Sequence, residues 1–121
     1  MGLFKRLGIR GAAKTLARSA YEAYLKYKSS APNLTDAEIV QAVFMQRCSS
    51  GNLNKAEKER FEKYLKTEKS VDSVFKLCLA ILYIVDDISE NDAAAYSTVK
   101  KVIEEELSRS GYKIPPGNNN A

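Results

Sequence analysis

Carboxylates cluster at one place in the sequence, at Asp86, Asp87 and Glu90, with Asp92 close behind. Closely spaced carboxylate oxygens are the ligands that Mg²⁺ and Ca²⁺ prefer. A calcium loop, however, also needs alternating ligands, a central glycine and a final glutamate, and this stretch lacks that pattern. Acidic residues here are typical of a helix start, where they cap free N–H groups and face the positive end of the helix dipole. We therefore interpret the cluster as structural and expect no metal ion.

The residues needed for common enzyme chemistry are missing from the sequence. The chain has no histidine, which removes the commonest general base and the usual zinc ligand. Cys48 and Cys78 each fall on an apolar helical face without CxxC spacing, so we interpret them as reduced thiols of the core. The sequence contains neither a glycine-rich phosphate loop nor a G-x-S-x-G motif. We expect a protein that is not an enzyme and that holds no cofactor.

Positive charge is concentrated at the start of the chain. Residues 1 to 28 carry seven Lys or Arg side chains and one Glu, although the net charge of the whole chain is only +4. The other 93 residues hold 12 basic and 14 acidic side chains, so they are slightly acidic. Any attraction to an anionic partner is therefore expected to begin at the N-terminus.

The first residues combine apolar and basic side chains in a way that suits a membrane surface. The large apolar side chains would insert between lipids, and the cations beside them would meet lipid phosphates. The Gly-Leu-Phe-Lys opening resembles amphipathic membrane-active peptides, and the acid-poor composition also resembles a mitochondrial presequence. The expected partner is an anionic membrane surface or a protein. The candidate contact residues are Leu3, Phe4, Lys5, Arg6, Leu7, Arg10, Lys14 and Arg18.

A nucleic-acid-binding helical module is the alternative function. Arg10, Lys14 and Arg18 recur at every fourth residue, which is the spacing of one helical face that could follow phosphates. A second basic set between residues 55 and 69 is interleaved with glutamates, which favours a solvated face.

A cytoplasmic location is expected, with peripheral membrane contact; a mitochondrial location is the alternative if residues 1–20 act as a presequence.

The candidate site must be positioned by a fold built around residues 71–86. Between Val74 and Val85 the only charged residue is Lys76. Twelve helical residues span about 18 Å, which is short of the roughly 30 Å apolar thickness of a bilayer, so the segment is predicted to be a buried core helix. A buried strand over 77–85 is the rival interpretation, but no partner strand can be identified.

The rest of the chain predicts four further helices. A stripe from Ile9 to Tyr27 predicts the first, and Gly8 and Gly11 predict a break near its start. Capping patterns at Thr35 and Asn54 predict the starts of the second and third helices. Ser70 or Ser73 is expected to cap the central helix. Ser89 and Asp92 are expected to start the last helix, which Gly111 ends.

A row of tyrosines at 21, 24 and 27 is a weaker candidate for a partner surface.

The predicted fold is an all-α antiparallel bundle of about five helices around the central one. We divide the chain into a basic amphipathic segment over residues 1–10, which would project from the domain, a bundle over 11–110 and an irregular tail over 111–121.

Overall fold

The structure is a computed structural model that describes residues 3–49, 52–67 and 69–113, apart from the side chains of residues 3–7. It confirms the predicted all-α bundle, and the described residues contain no strand, so the strand interpretation of 77–85 is wrong. The five helices are α1 (Leu3–Ser30), α2 (Asp36–Cys48), α3 (Lys55–Leu65), α4 (Val74–Asp86) and α5 (Ala93–Arg109).

Helix α1 is interrupted at Gly8, one of the two glycines where a break was predicted. Gly8 has φ 75° and ψ 167°, which are not helical values and which a residue with a side chain rarely adopts. The turn before Gly8 therefore does not continue the axis of residues 9–30. Beyond the break, the predicted apolar stripe faces inward: Ala13, Leu16, Ala17, Ala20 and Tyr24 are buried, and Ile9 and Tyr27 pack against the core.

Helices α2 and α3 both begin with the predicted capping box. The Thr35 hydroxyl accepts the backbone N–H of Glu38 at 3.2 Å, and the Glu38 carboxylate accepts the Thr35 N–H at 2.9 Å. Asn54 and Glu57 form the same reciprocal pair at 2.8 and 2.9 Å. These bonds satisfy N–H groups that have no partner inside the helix. Leu65, four residues after Phe61 and so on the same face of α3, is nevertheless 48% exposed.

Helix α4 is the centre of the bundle and contacts each of the other four helices. It begins at Val74, after the Ser73 hydroxyl caps it by accepting the Lys76 N–H at 3.2 Å. The residue after its end, Asp87, adopts the left-handed conformation with φ 56°, and this lets Ile88 turn back into the core. The buried side chains of the helix are Val74, Phe75, Leu77, Cys78, Ala80, Ile81, Leu82 and Ile84.

Helix α5 differs from the prediction at its start and follows it at its end. Asp92 is the N-cap residue, but its side chain makes no capping bond; the carboxylate instead accepts the N–H of Ser89 at 3.5 Å. The acidic side chain therefore stabilises the preceding turn. At the other end, Gly111 has φ 97°, and the N–H of Tyr112 bonds to the Leu107 carbonyl at 3.0 Å. This is a Schellman ending, which favours glycine at the left-handed position.

Helix directions follow from a few contacts between side chains. Helices α1 and α2 are antiparallel, since Tyr24 bonds to Asp36 at 2.8 Å and Ser19 bonds to Arg47 at 3.3 Å. Helices α1 and α5 run in the same direction, because α1 meets Glu106 at Arg18 and meets Tyr112 further along, at Tyr21.

Packing covers much of the tyrosine row of α1, because Tyr24 is buried and Tyr21 and Tyr27 are half-buried against the core; its role as a partner surface stays a prediction. Tyr24 is 5% exposed, and its ring lies 6.0 Å from that of Tyr21 and 5.9 Å from that of Tyr112. The hydroxyl of Tyr112 also accepts the N–H of Val74 at 3.1 Å, in the first turn of α4. These aromatic contacts join the ends of α1, α4 and α5.

Candidate functional site

The predicted contact residues of the N-terminal segment are described only in part. The side chains of Leu3, Phe4, Lys5, Arg6 and Leu7 lie outside the described residues, and the projection of residues 1–10 stays a prediction. Arg10 is exposed and has no partner among the described residues, and Lys14 is half-buried. Of the eight candidates, Arg10 therefore has the freest cation that the structure describes.

Arg18 is paired within the chain, although its side chain is 59% exposed. Its Nε donates to Oε2 of Glu106 on α5 at 2.7 Å, and the Glu106 side chain is only 7% exposed. Arg109 approaches the other carboxylate oxygen at 3.6 Å. The hydrogen bond from Arg18 lowers the pKa of Glu106, opposed by burial and assisted by the charges of Arg18, Lys14 and Arg109. Of the three consecutive glutamates at 104–106, Glu106 is the one that pairs with the basic helix.

A concave surface lies over the outer side of α4, lined by described residues of α3, α4, α5 and the loops between them. This groove is bounded by the end of α3 and the loop after it on one side, and by the α4–α5 loop and the start of α5 on the other. Its volume is about 520 Å³, which is within the usual range of small-molecule sites. Its floor and walls are formed mainly by Tyr64, Phe75, Leu79, Ala80, Tyr83, Ile88 and Tyr96.

Four lysines line the groove, and two of them have no carboxylate partner among the described residues. Lys69 pairs with Glu90 at 2.5 Å and Lys76 pairs with Asp72 at 3.2 Å. Lys63 and Lys100 form no ion pair with any other part of the chain that the structure describes. Glu90 is the single acidic residue among the described lining residues, so the groove is positively charged.

Tyrosine hydroxyls supply neutral hydrogen-bond donors in the same groove. Burial raises the pKa of Tyr64, and the neighbouring Tyr96 and Glu90 raise it further. Burial also raises the pKa of Tyr96; Glu90 adds to this effect and Lys69 opposes it. Both phenols are therefore protonated at neutral pH. The hydroxyls of Tyr64, Tyr83 and Tyr96 form no hydrogen bond to another described residue.

The sequence contained weak signals of this groove. Tyr64 is three residues after Phe61 on α3, Tyr96 is three residues before Val99 on α5, and Lys76 is the one charge between Val74 and Val85. Nothing in their spacing said that these residues share a surface, because they come from three different helices. Periodicity assigns a residue to a face of its own helix and does not predict a gap between helices.

The carboxylate cluster lies where α4 passes into the loop before α5, and the two thiols lie in the core. Glu90 is paired with Lys69, and the described residues include no group of three or more His, Cys, Asp or Glu side chains that could hold a metal ion. Cys48 and Cys78 are free and buried. Burial raises the pKa of Cys48 to about 11 and that of Cys78 to about 12, with a small opposing effect of Arg47 in each case, so both thiols are protonated at neutral pH.

The fold and these surfaces define a small five-helix bundle with a basic first helix and a groove lined by lysine and tyrosine. No helix within the described ranges has the length and apolar character to cross a bilayer. Comparison of the chain with protein-family models, curated proteins and solved structures gave no match in any of the three. The function must therefore be argued from the surfaces themselves.

Proposed function

We propose that this protein is a small non-catalytic helical adaptor whose basic N-terminal helix contacts an anionic membrane surface. The observation that carries the proposal is the charge distribution: residues 1–28 hold seven cations and one acid, and the rest of the chain has an excess of acid. Each Lys or Arg near an anionic bilayer contributes about 1 kcal/mol of attraction. Such a contact would be peripheral and reversible, and it suits a cytoplasmic protein.

The break at Gly8 supports this proposal. Because the backbone leaves the helical conformation there, the turn before Gly8 does not share the axis of residues 9–30, which pack on the core. Arg10, just beyond the break, is exposed. Apolar side chains at Leu3, Phe4 and Leu7 would enter the lipid surface, and Lys5, Arg6 and Arg10 would bind its phosphates.

Arg18 is expected to contribute less to the affinity for an anionic partner than its place on the basic helix suggests. Its guanidinium already binds the Glu106 carboxylate, so binding a phosphate would compete with that bond. This weighs against the alternative of a nucleic-acid-binding module that uses Arg10, Lys14 and Arg18, since one of the three cations is already neutralised. A gel shift at low salt tests that alternative, and its absence would exclude it.

Co-sedimentation with vesicles tests the membrane proposal. We expect binding to phosphatidylserine vesicles and not to phosphatidylcholine vesicles. Replacement of Lys5, Arg6 and Arg10 by Gln should weaken binding by about fivefold per cation removed. A matched control replaces Lys55, Lys58 and Lys66 by Gln, which removes the same charge from α3 and the residue after it.

Three outcomes separate the possible partners. Loss in the N-terminal variant alone supports the proposal, and equal loss in both variants would reduce it to non-specific charge attraction. The absence of binding to either kind of vesicle excludes the membrane and leaves a protein as the expected partner of the same segment.

A further inference from the structure

The groove over α4 combines an apolar floor with a positive rim, and the contact proposed for the N-terminal helix does not use it. Leu79 supplies partly exposed aliphatic surface, and Phe75, Ala80 and Ile88, which also line the groove, are at most 6% exposed. Apolar surface of this kind is stabilised by an apolar ligand that displaces water from it. An inorganic anion would leave this surface wet, so the floor requires a ligand with an apolar body.

The rim requires that the same ligand carry negative charge. Lys63 lies on α3 and Lys100 lies on α5, so cations approach the groove from both sides. Neither has a carboxylate partner among the described residues, whereas Lys69 and Lys76 are paired. A charged acceptor placed between them would form charge-assisted hydrogen bonds without displacing an existing ion pair.

Three tyrosines in the groove would orient a bound ligand through their rings and hydroxyls. The rings of Tyr64 and Tyr83 lie 6.1 Å apart, which places two aromatic side chains side by side in one wall. Aromatic rings favour a ring-containing ligand through edge and offset contacts. The hydroxyls of the wall tyrosines could donate hydrogen bonds to an acidic group on that ligand.

The size of the groove limits the ligand to a small molecule. A volume of about 520 Å³ matches a compact organic ligand.

An ion pair connects the two loops that border the groove. Lys69, in the loop before α4, pairs with Glu90, in the loop after it.

We propose that the groove between α3, α4 and the start of α5 binds a small organic acid with an apolar, ring-containing body. The ring system packs on the half-buried Leu79 between the tyrosines, and the acidic group lies within reach of Lys63 and Lys100. Binding adds apolar contact to a surface of α4 that its own neighbours leave partly open.

Two related fluorescent probes test the proposal on the full chain. Anilinonaphthalene sulfonate has a ring-containing apolar body with an acidic group, and phenylnaphthylamine has the same rings without the charge. We expect the native protein to bind the sulfonate more tightly. Lys100→Met should lower sulfonate affinity about threefold to tenfold while phenylnaphthylamine affinity stays the same.

The chain provides a matched control at the next residue. Lys101 is exposed and does not line the groove, so Lys101→Met removes the same charge without altering the proposed contact. Lys63→Met and Lys58→Met form a second pair on α3. Thermal unfolding of each variant establishes that it is folded before its affinity is compared.

Amide chemical shifts locate the bound probe independently of affinity. Added sulfonate should shift the backbone resonances of Lys63, Tyr83 and Lys100. The proposal is overturned if the sulfonate does not bind, if Lys100→Met and Lys101→Met lose affinity equally, or if the shifted resonances are confined to α1.

Discussion

Cations on two sides of the bundle differ in whether a carboxylate of the same chain already binds them. On the side where α1 packs against α4 and α5, Arg18 is bound by Glu106, a carboxylate that is almost fully buried. On the side where the groove opens over α4, Lys69 and Lys76 pair with exposed carboxylates, and Lys63 and Lys100 have no carboxylate partner among the described residues. The difference shows that charge density along the sequence does not identify the cations that are available to a ligand; packing decides which of them are already neutralised.

Helix α4 itself has a side that is closed by the core and a side that is open at the groove. Leu82 is 1% exposed and belongs to the core, whereas Leu79 is partly buried and lines the groove. The sequence predicted burial of the whole segment, because a helix that is apolar on all sides is normally enclosed. In the structure Lys76, Leu79 and Tyr83, spaced by three and four residues, form a stripe that is left half open.

The largest effect on stability is expected from substitution of the core leucine of α4. Leu82→Ala is expected to reduce the free energy of unfolding by about 2–5 kcal/mol, because it leaves a cavity in a closed core. Leu79→Ala should cost less than about 1.5 kcal/mol, since its side chain is already in contact with solvent at the groove. Urea denaturation followed by circular dichroism measures both. Equal losses would mean that the two sides of α4 are equally closed.

Removal of the cation on the closed side should have the next largest effect. Arg18→Met leaves the Glu106 carboxylate without its 2.7 Å hydrogen bond in a nearly buried position, so we expect a loss of about 1–3 kcal/mol at neutral pH. Arg10→Met is the control, because it removes the same group from an exposed position of the same helix. It should change stability by less than about 0.5 kcal/mol.

The pH dependence of that loss distinguishes the ion pair from simple packing. Arg18 lowers the pKa of Glu106 in the folded protein below its ordinary value of 4.5, so the unfolded chain binds this proton more readily. The contribution of the pair is therefore complete above pH 4.5 and is lost as pH falls through the lowered pKa. The difference between native protein and Arg18→Met should shrink in acid. A difference that is constant with pH would assign the loss to the aliphatic part of Arg18.

Local signals predicted the helices well because they depend on neighbouring residues. The capping boxes at Thr35 and Asn54 and the glycine ending at Gly111 are each decided within a few positions of the chain, and all three are present. The buried residues of α2 recur at the spacing of one helical face: Ile39, Val40, Val43, Phe44 and Cys48. Where two local interactions competed, prediction was less accurate: Asp92 was expected to cap α5, but its carboxylate bonds back to Ser89.

The surfaces could not be predicted in this way because they depend on pairs of residues that are distant in sequence. Arg18 and Glu106 are 88 positions apart, and no periodicity connects them. Tyr24 belongs both to the apolar stripe of α1 and to the tyrosine row, and its contact with Tyr112, from the other end of the chain, could not be read from either pattern. The groove likewise arises from the placement of α3 and α5 on α4, which the pattern of each separate helix does not contain.

The smallest effect on stability is expected on the open side, where Lys69 pairs with Glu90. Both side chains are more than half exposed, so Glu90→Gln should change the free energy of unfolding by less than about 0.5 kcal/mol. The same substitution removes the acidic residue of the groove and frees Lys69, so affinity for the anionic probe should rise about twofold to threefold. Glu105→Gln, an exposed change on α5 outside the groove, is the control and should leave affinity unchanged. Weaker probe binding by Glu90→Gln would indicate that the ion pair holds the two bordering loops in the shape that the ligand needs, so that on this side geometry outweighs charge.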